Sequence, residues 1–266
     1  MATCIATSAF AISLAAPLVA GPAAAHPARL TSGSDAAHLP GCPTPPTGFV
    51  LSAPGAGKTV ALTFDDGPGA ADLQIADVLR REKIPGTFFF TGAGASANPD
   101  VVRQITAQGL AVGNHSYDHL YPAQVPGGWT QQYVADQAHR TNAALTRVTR
   151  EPVCLYRPPG GFQEGVLAAT SALRLTAALW SVDPRDWAQP TTASPQATAA
   201  IVEAATDIGH QTHPIVLLHS SHASASVQHS GGPGYRGNTV AALPQIIAWY
   251  RTHGFRFVDL AGRSAP

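Results

Sequence analysis

The sequence predicts an α/β fold with a parallel sheet covered by helices. Three observations predict it. Short apolar runs alternate along the chain with segments of helical spacing. The chain is 266 residues long and 45% hydrophobic, enough to bury one large core. The unusual polar residues stand just after the apolar runs, where parallel strands in such folds gather their carboxyl ends.

The elements follow in order. Residues 26–58 are rich in Pro, Gly, Ser and Ala and read as a linker or irregular wrap. Val60 to Phe64 is an apolar run closed by Asp65-Asp66-Gly67-Pro68, a buried strand ending in a turn. Leu73 to Lys83 has helical spacing, and Thr87 to Phe90 is the second strand. Asp100 to Gln108 is a helix with Pro99 near its first turn and Gly109 as its stop. Leu110 to Val112 is the third strand, Thr130 to Val148 a long helix, and Val153 to Tyr156 the fourth strand, ended by Pro158-Pro159. Glu164 to Leu173 is a helix and Thr176 to Val182 a strand. Pro195 to Asp207 is a helix followed by the strand Ile215 to Leu218. Thr239 to Thr252 and Phe255 to Leu260 complete the pattern. Seven such units in about 200 residues fit a small or incomplete β/α barrel. A doubly wound open sheet competes, and the pattern alone does not separate the two.

Composition excludes several functions. Net formal charge is zero and charged residues make up 12%. Lys occurs only at Lys58 and Lys83, and the Arg residues are scattered. No basic stripe is present for a nucleic-acid partner. Gly55-Ala56-Gly57-Lys58-Thr59 has the ending of a phosphate-binding loop, but Ser52 stands where the first Gly belongs, and a strand follows instead of a helix. No nucleotide is therefore expected. A Gly-x-Ser-x-Gly nucleophile turn is absent.

The N-terminus has the pattern of an export signal, residues 1–25. Ile5 to Ala20 are apolar or small, and Ala23-Ala24-Ala25 offers a cleavage site before His26. Met1-Ala2-Thr3 carries no basic side chain, so the positive charge is only the terminal amine. The apolar run is short and broken by Pro17, which disfavours a retained anchor. The expected product is secreted, extracellular or periplasmic, without a membrane anchor, and monomeric. Cys4 would leave with the signal, and Cys42 and Cys154 remain as an even pair in an oxidising compartment. A disulfide between them would tie the N-terminal segment to the start of a core strand.

The polar residues carry the chemistry. Asp65 and Asp66 follow the first strand, His115 and His119 the third, Arg157 the fourth, Asp183 and Asp186 the fifth, and His219 the sixth. Adjacent carboxylates repel, so Asp65 and Asp66 both stay ionised only near a cation or an Arg. Alone, Asp66-Gly67-Pro68 reads equally well as an ordinary turn. His115 and His119 stand four residues apart, and a helical turn would put both imidazoles on one side within reach of one ion. Two His and one carboxylate form a common catalytic zinc set with a position open for water.

Five ordered motifs then resemble one family. They are Thr63-Phe64-Asp65-Asp66-Gly67-Pro68, His115-Ser116-x-x-His119, Arg157-x-Pro159-x-Gly161, Asp183-x-x-Asp186-Trp187 and Leu217-x-His219. They are similar to the motifs of the polysaccharide deacetylases, carbohydrate esterase family 4, over residues 59–262, the expected catalytic domain. The resemblance implies a distorted (β/α) barrel of about seven parallel strands. It implies Asp66, His115 and His119 as ligands of one divalent metal, usually zinc, with cobalt or manganese as substitutes. It implies Asp65 as the general base and Arg157 as the cation that holds it ionised. It implies the Gly160 N–H as an oxyanion donor and His219 as the general acid. An acid of this kind needs a carboxylate partner, for which Asp183 is the first candidate and Asp186 the second. Leu217 and Trp187 would wall the acetyl pocket, and Trp187 would also offer a face for a sugar unless it is a plain core aromatic.

One departure stands out. The family often has Asp after the last catalytic His, where this chain has Ser220-Ser221-His222. Loops 117–131, with Tyr117, Tyr121 and Trp129, and 220–238 flank the motifs and receive no assigned role. The resemblance implies a hydrolase that removes N-acetyl groups from N-acetylglucosamine units of peptidoglycan or a chitin-like glycan. An acetylxylan esterase and a catalytically inactive glycan-binding module are the alternatives. The presence of base, ligands, Arg and acid together disfavours the inactive module.

Overall fold

The computed structural model describes residues 42–190, 192–223 and 236–264. The expected signal at 1–25, the start of the 26–58 segment and most of loop 220–238 lie outside them. Among these residues seven strands form a parallel sheet: β1 (Thr59–Asp65), β2 (Thr87–Phe90), β3 (Ala111–Asn114), β4 (Leu155–Tyr156), β5 (Thr176–Ala177), β6 (Ile215–His219) and β7 (Arg256–Phe257). Their order is β5-β4-β3-β2-β1-β6, and β7 pairs with the first residues of β1.

The strand expected over 176–182 divides in two. Thr176 and Ala177 pair with β4, and the chain then runs on to β6. There Val182 bridges Val216, its N–H donating to the Ile215 carbonyl at 3.1 Å and its carbonyl accepting from Leu217 N–H at 2.9 Å. This crossing joins the two ends of the sheet. It makes the fold a distorted (β/α) barrel and not an open doubly wound sheet.

Among the described residues seven helices wrap the outside: α1 (Ala70–Glu82), α2 (Gly92–Ala97), α3 (Pro99–Ala107), α4 (Gln131–Thr149), α5 (Val166–Ala172), α6 (Pro195–Thr206) and α7 (Arg236–Thr252). Their starts are chemically marked. Thr130 Oγ1 accepts from Tyr133 N–H at 3.1 Å to open α4, and Ser194 Oγ accepts from Ala197 N–H at 3.2 Å to open α6. Helix α2 has no sequence signal, because Gly92-Ala93-Gly94-Ala95-Ser96-Ala97 has no apolar period. Thr91 Oγ1 nonetheless caps it, accepting from Gly94 N–H at 3.2 Å.

Strand alternation sorts the core. On β1 and β2, Val60, Leu62, Phe64, Phe88 and Phe90 face outward into the cluster shared with the helices. Ala61 and Phe89 point inward and join Leu155, Ala178, Ile215, Val258 and Leu260 in the barrel interior. The same period of two puts Thr63 and Asp65 on the inner face at the carboxyl end of β1. On β6 it puts Leu217 and His219 there. The Cys42–Cys154 disulfide, with Cα atoms 5.4 Å apart, ties the N-terminal segment to the chain just before β4. None of the helices among the described residues is long and apolar enough to cross a membrane.

Candidate active site

Register brings the first two groups together. Strands β1 and β6 pair with Asp65 opposite His219 and Thr63 opposite Leu217. Asp65 is buried, and its Oδ1 accepts from Arg157 Nη1 at 2.9 Å. The same nitrogen donates to Thr63 Oγ1 at 2.7 Å, and Nη2 donates to the Leu179 carbonyl at 2.9 Å. Arg157 is fully buried, with its guanidinium carbon 4.3 Å from the centre of the Phe89 ring. A cation this firmly held keeps a charged partner for Asp65 inside the barrel.

His219 has its own partner. Its Nδ1 lies 2.7 Å from Asp186 Oδ1, and its backbone N–H donates to Asp186 Oδ2 at 2.8 Å. Thr239 Oγ1 on α7 donates to the same Oδ2 at 2.8 Å. Burial works to lower the His219 pKa, but Asp186 outweighs it and the ring sits above the ordinary histidine value. Burial also opposes ionisation of Asp186, whose carboxyl is nevertheless held below the usual range by His219 and then by Arg236. The pair is a hydrogen-bonded imidazole and carboxylate, with Nε2 left as the nitrogen that can give a proton.

Asp183 is the correction. It was the first candidate for this partnership, yet its Oδ1 accepts from Arg185 N–H at 2.9 Å and the residue is exposed. The local backbone explains why. Arg185 adopts a left-handed conformation, φ 53°, and the next residue opens a short 3-10 turn, Asp186–Ala188. That turn carries Asp186 inward and leaves Asp183 at the rim.

The metal-type cluster sits beside the base. One ligand atom each from Asp66, His115 and His119 lies within 4.8 Å of the other two, and all three residues are buried. Asp66 Oδ1 is 3.2 Å from His119 Nε2 and 3.4 Å from His115 Nε2. The tautomer of His115 is fixed, because Nδ1 lies 2.8 Å from the Arg157 carbonyl, which can only accept. A neutral His115 then turns the lone pair of Nε2 toward a carboxylate oxygen that has no hydrogen-bond partner. Two lone pairs facing each other in a buried site call for a cation between them. Ligand atoms about 2.0–2.1 Å from one tetrahedral ion stand roughly 3.3 Å apart, which matches the observed spacing. The residues present therefore fit a divalent ion.

A helical turn does not bring the two histidines together. His115 follows the end of β3, and residues 115–119 form a tight loop with Ser116 at φ 59° and His119 at φ 58°. Asp66 is left-handed too, at φ 76°. Such conformations cost non-glycine residues on the order of 1–3 kcal/mol each and persist where surrounding bonds dictate them. Here those bonds are visible. Ser116 N–H donates to Asn114 Oδ1 at 2.9 Å, His119 N–H to Ser116 Oγ at 3.1 Å, and Tyr117 N–H to Gln137 Oε1 at 2.9 Å.

These groups open into one cleft of about 410 Å³. Asp65, Asp66, His115, His119 and His219 line it together with Gly160, Leu217, Trp187 and Asp183. Gly160 lies in a 3-10 turn, Pro159–Gly161, with φ 60°. Trp187 is 38% exposed and lines the cleft, so the alternative of a plain core aromatic does not hold.

Residues 52–178 match the sequence profile of the polysaccharide deacetylase family. The chain is 33% identical over 221 residues to a peptidoglycan-N-acetylglucosamine deacetylase of Bacillus cereus, covering 81% of this chain and 93% of that protein. It is 33% identical over 200 residues to a chitooligosaccharide deacetylase of Sinorhizobium fredii, covering 74% of this chain and 87% of that protein. A solved peptidoglycan N-acetylglucosamine deacetylase superposes with a TM-score of 0.66 at 30% identity, covering 79% of this chain and 89% of that one.

The chain belongs to the polysaccharide deacetylase family.

As a member it is a hydrolase, a carbohydrate deacetylase. Other residues at or beside the site were given no role by the sequence. Thr63 shares the Arg157 donor with Asp65, and its place two residues before Asp65 on one strand face could have pointed to it. Gln137, Thr141 and Asn142 are buried polar residues on the inner face of α4. Polar residues on the core stripe of an otherwise regular helix were the available signal. Arg236, Tyr121, Phe162, Trp180 and His222 also line the cleft. Arg236 Nε donates to the Ser221 carbonyl at 2.7 Å, and Nη2 stands 3.9 Å from Asp66 Oδ2. Tyr121 and His222 stand in the loops noted beside the motifs, whereas nothing in the local sequence marks Arg236, Phe162 and Trp180, because their place depends on segments meeting across the barrel mouth.

Proposed function

We propose that this chain is an exported, metal-dependent N-deacetylase acting on N-acetylglucosamine units of peptidoglycan or a chitin-like glycan. Residues 1–25 would be the export signal and 59–262 the catalytic domain. Asp66, His115 and His119 would hold one divalent ion, zinc before cobalt or manganese. When bound, that ion supplies Lewis acidity, which eases deprotonation of water and polarises the acetyl carbonyl.

The chain's own residues do the rest. Asp65, kept charged by Arg157, takes a proton from the attacking water. The water oxygen bonds to the acetyl carbon, and the Gly160 N–H donates to the developing oxyanion. His219, charged beside Asp186, then gives its Nε2 proton to the departing nitrogen. The carbon–nitrogen bond breaks, and acetate and a free amine leave. Leu217 lies where it would face the acetyl methyl group, and Trp187 would stack on the sugar.

One observation carries this reading. A charge-paired carboxylate and a charge-paired imidazole stand opposite each other on adjacent strands, beside three convergent ligand atoms. The relatives named above support an amide substrate, since both are deacetylases of acetylated amino sugars by name.

The test is acetate release from chitooligosaccharides, peptidoglycan and acetylxylan, with metal content measured on the same samples. Asp65→Asn should lower turnover by ~10²–10⁴-fold and keep the metal, as expected for loss of a general base. His115→Ala should lose the metal. Near-normal turnover by Asp65→Asn would remove it as the base. Silence of the metal-loaded wild type across the panel would favour a glycan-binding module, and release from acetylxylan alone an esterase.

A further inference from the structure

The mechanism leaves one carboxylate in the cleft without work. Asp183 lines the same cleft as the catalytic groups, yet Asp186 has taken the place beside His219. Among the described residues Asp183 makes no ion pair. Its side chain is nevertheless oriented, because Oδ1 accepts the Arg185 N–H at 2.9 Å. The second oxygen, Oδ2, has no hydrogen-bond donor among the described residues.

Its surroundings suit a sugar. Apolar and aromatic side chains gathered at the mouth of a cleft with a few polar groups are the usual lining of a ligand site. Phe162 and Trp187 are each 38% exposed and both line this cleft. The Trp187 ring comes from the same turn as Asp183, and the Arg185 guanidinium lies 5.2 Å from its centre. Across the barrel, Phe162 packs on Tyr121 with ring centres 5.3 Å apart. A Cβ at Gly160 would come within 3.0 Å of the Phe162 ring and 3.2 Å of the Tyr121 ring, so these aromatics fill the space over that glycine. A pyranose offers an apolar C–H face for such rings and a rim of hydroxyl donors for an acceptor-only carboxylate.

We propose that Asp183 is a substrate-recognition residue, which accepts a hydrogen bond from a hydroxyl or amide N–H of an amino-sugar unit lying on Trp187. This rests on the deacetylase reading above and narrows its substrate. A carboxylate at the rim accepts from neutral units, pairs with the ammonium of units already deacetylated, and repels units that carry a carboxylate.

Asp183→Asn tests the proposal and keeps the acceptor for Arg185 N–H, so the turn is preserved. With a chitin tetramer, KM should rise about 10–150-fold, the loss expected for a hydrogen bond to a charged group. Turnover at saturation and the basic limb of its pH profile should stay within error, because the His219 partner is untouched. The rate on a carboxylate-bearing acetylated glycan, relative to the neutral tetramer, should rise several-fold. A collapse of kcat, or a displaced basic limb like that of Asp186→Asn, would show that Asp183 acts through His219 and overturn the proposal. An unchanged KM on every substrate would make it a solvated surface carboxylate. Should the wild type release no acetate, the deacetylase reading fails, and calorimetric binding of the same tetramer still decides the matter. Equal affinity of wild type and Asp183→Asn would then overturn the recognition role.

Discussion

Asp186 and His219 illustrate how one hydrogen-bonded pair decides a pH response. The imidazole pKa is raised by Asp186 against the opposing effect of burial. As a general acid His219 must be protonated, so turnover falls as pH rises through that raised pKa. The link to stability has the same sign. His219 contributes stability that is fully present below its unfolded pKa and fades as pH rises through the folded one. Asp186, whose pKa is depressed, contributes stability above its unfolded pKa that is lost as pH falls through its folded value. Asp186→Asn should move the descending limb of the kcat profile to lower pH and reduce the maximum by ~10–10²-fold. A pH–rate profile on one oligosaccharide checks this, and an unmoved limb would mean that Asp186 is not what tunes the acid. The residue scale also shows what spacing could not decide. Asp183 directly follows the apolar run and Asp186 stands three residues further on, yet the left-handed Arg185 between them turns the farther one inward.

At the scale of elements, the metal-type cluster depends on a helix that contributes no ligand. Gln137 on α4 accepts two N–H groups of the 115–119 loop, from Tyr117 at 2.9 Å and Asp118 at 3.1 Å. Its Nε2 donates to Asp118 Oδ2 at 2.9 Å. Gln137→Ala would strand these donors in a part-buried site and free a loop that holds two left-handed residues. The expected loss is about 2–4 kcal/mol in denaturant unfolding, and zinc affinity should fall roughly 10–100-fold in a chelator competition. Loss of stability with unchanged affinity would mean that the loop holds its geometry without α4.

The strands show where sequence reading succeeds. β1, β2 and β6 were legible because they are apolar on both faces and end at turn or polar residues. β4 and β5 have only two paired residues each, and the expected strand over 176–182 is cut by the crossing that closes the barrel. Local propensity favours an extended chain throughout that run, whereas its partner changes midway from β4 to β6.

For the whole molecule, the Cys42–Cys154 disulfide spans a sequence separation of 112 residues. Closing a loop of that size constrains the unfolded chain by up to about 5 kcal/mol in the chain-entropy account, with 2–5 typical for native bridges. The paired substitution Cys42→Ser with Cys154→Ser should therefore lower Tm by roughly 10 °C, as scanning calorimetry would read. It should leave kcat unchanged at 25 °C, since the bridge anchors the chain ahead of β4 and touches no cleft residue. A Tm within 2–3 °C of wild type would show that the N-terminal segment adds little to the core.

The sequence by itself determined the α/β class, the strands that carry the chemistry, and the residues at their carboxyl ends. Those properties follow from apolar periodicity and local turn chemistry, which are written in neighbouring residues. The five motifs likewise identified Asp65, Asp66, His115, His119, Arg157 and His219 one by one. Only the tertiary structure decided the closed barrel over the open sheet, because closure depends on Val182 meeting Val216 from a distant strand. Only it separated Asp186 from Asp183, and only it showed Arg236, Phe162 and Tyr121 at the same cleft. Those choices belong to groups brought together across the barrel mouth, where the deciding distances run between segments far apart in the chain.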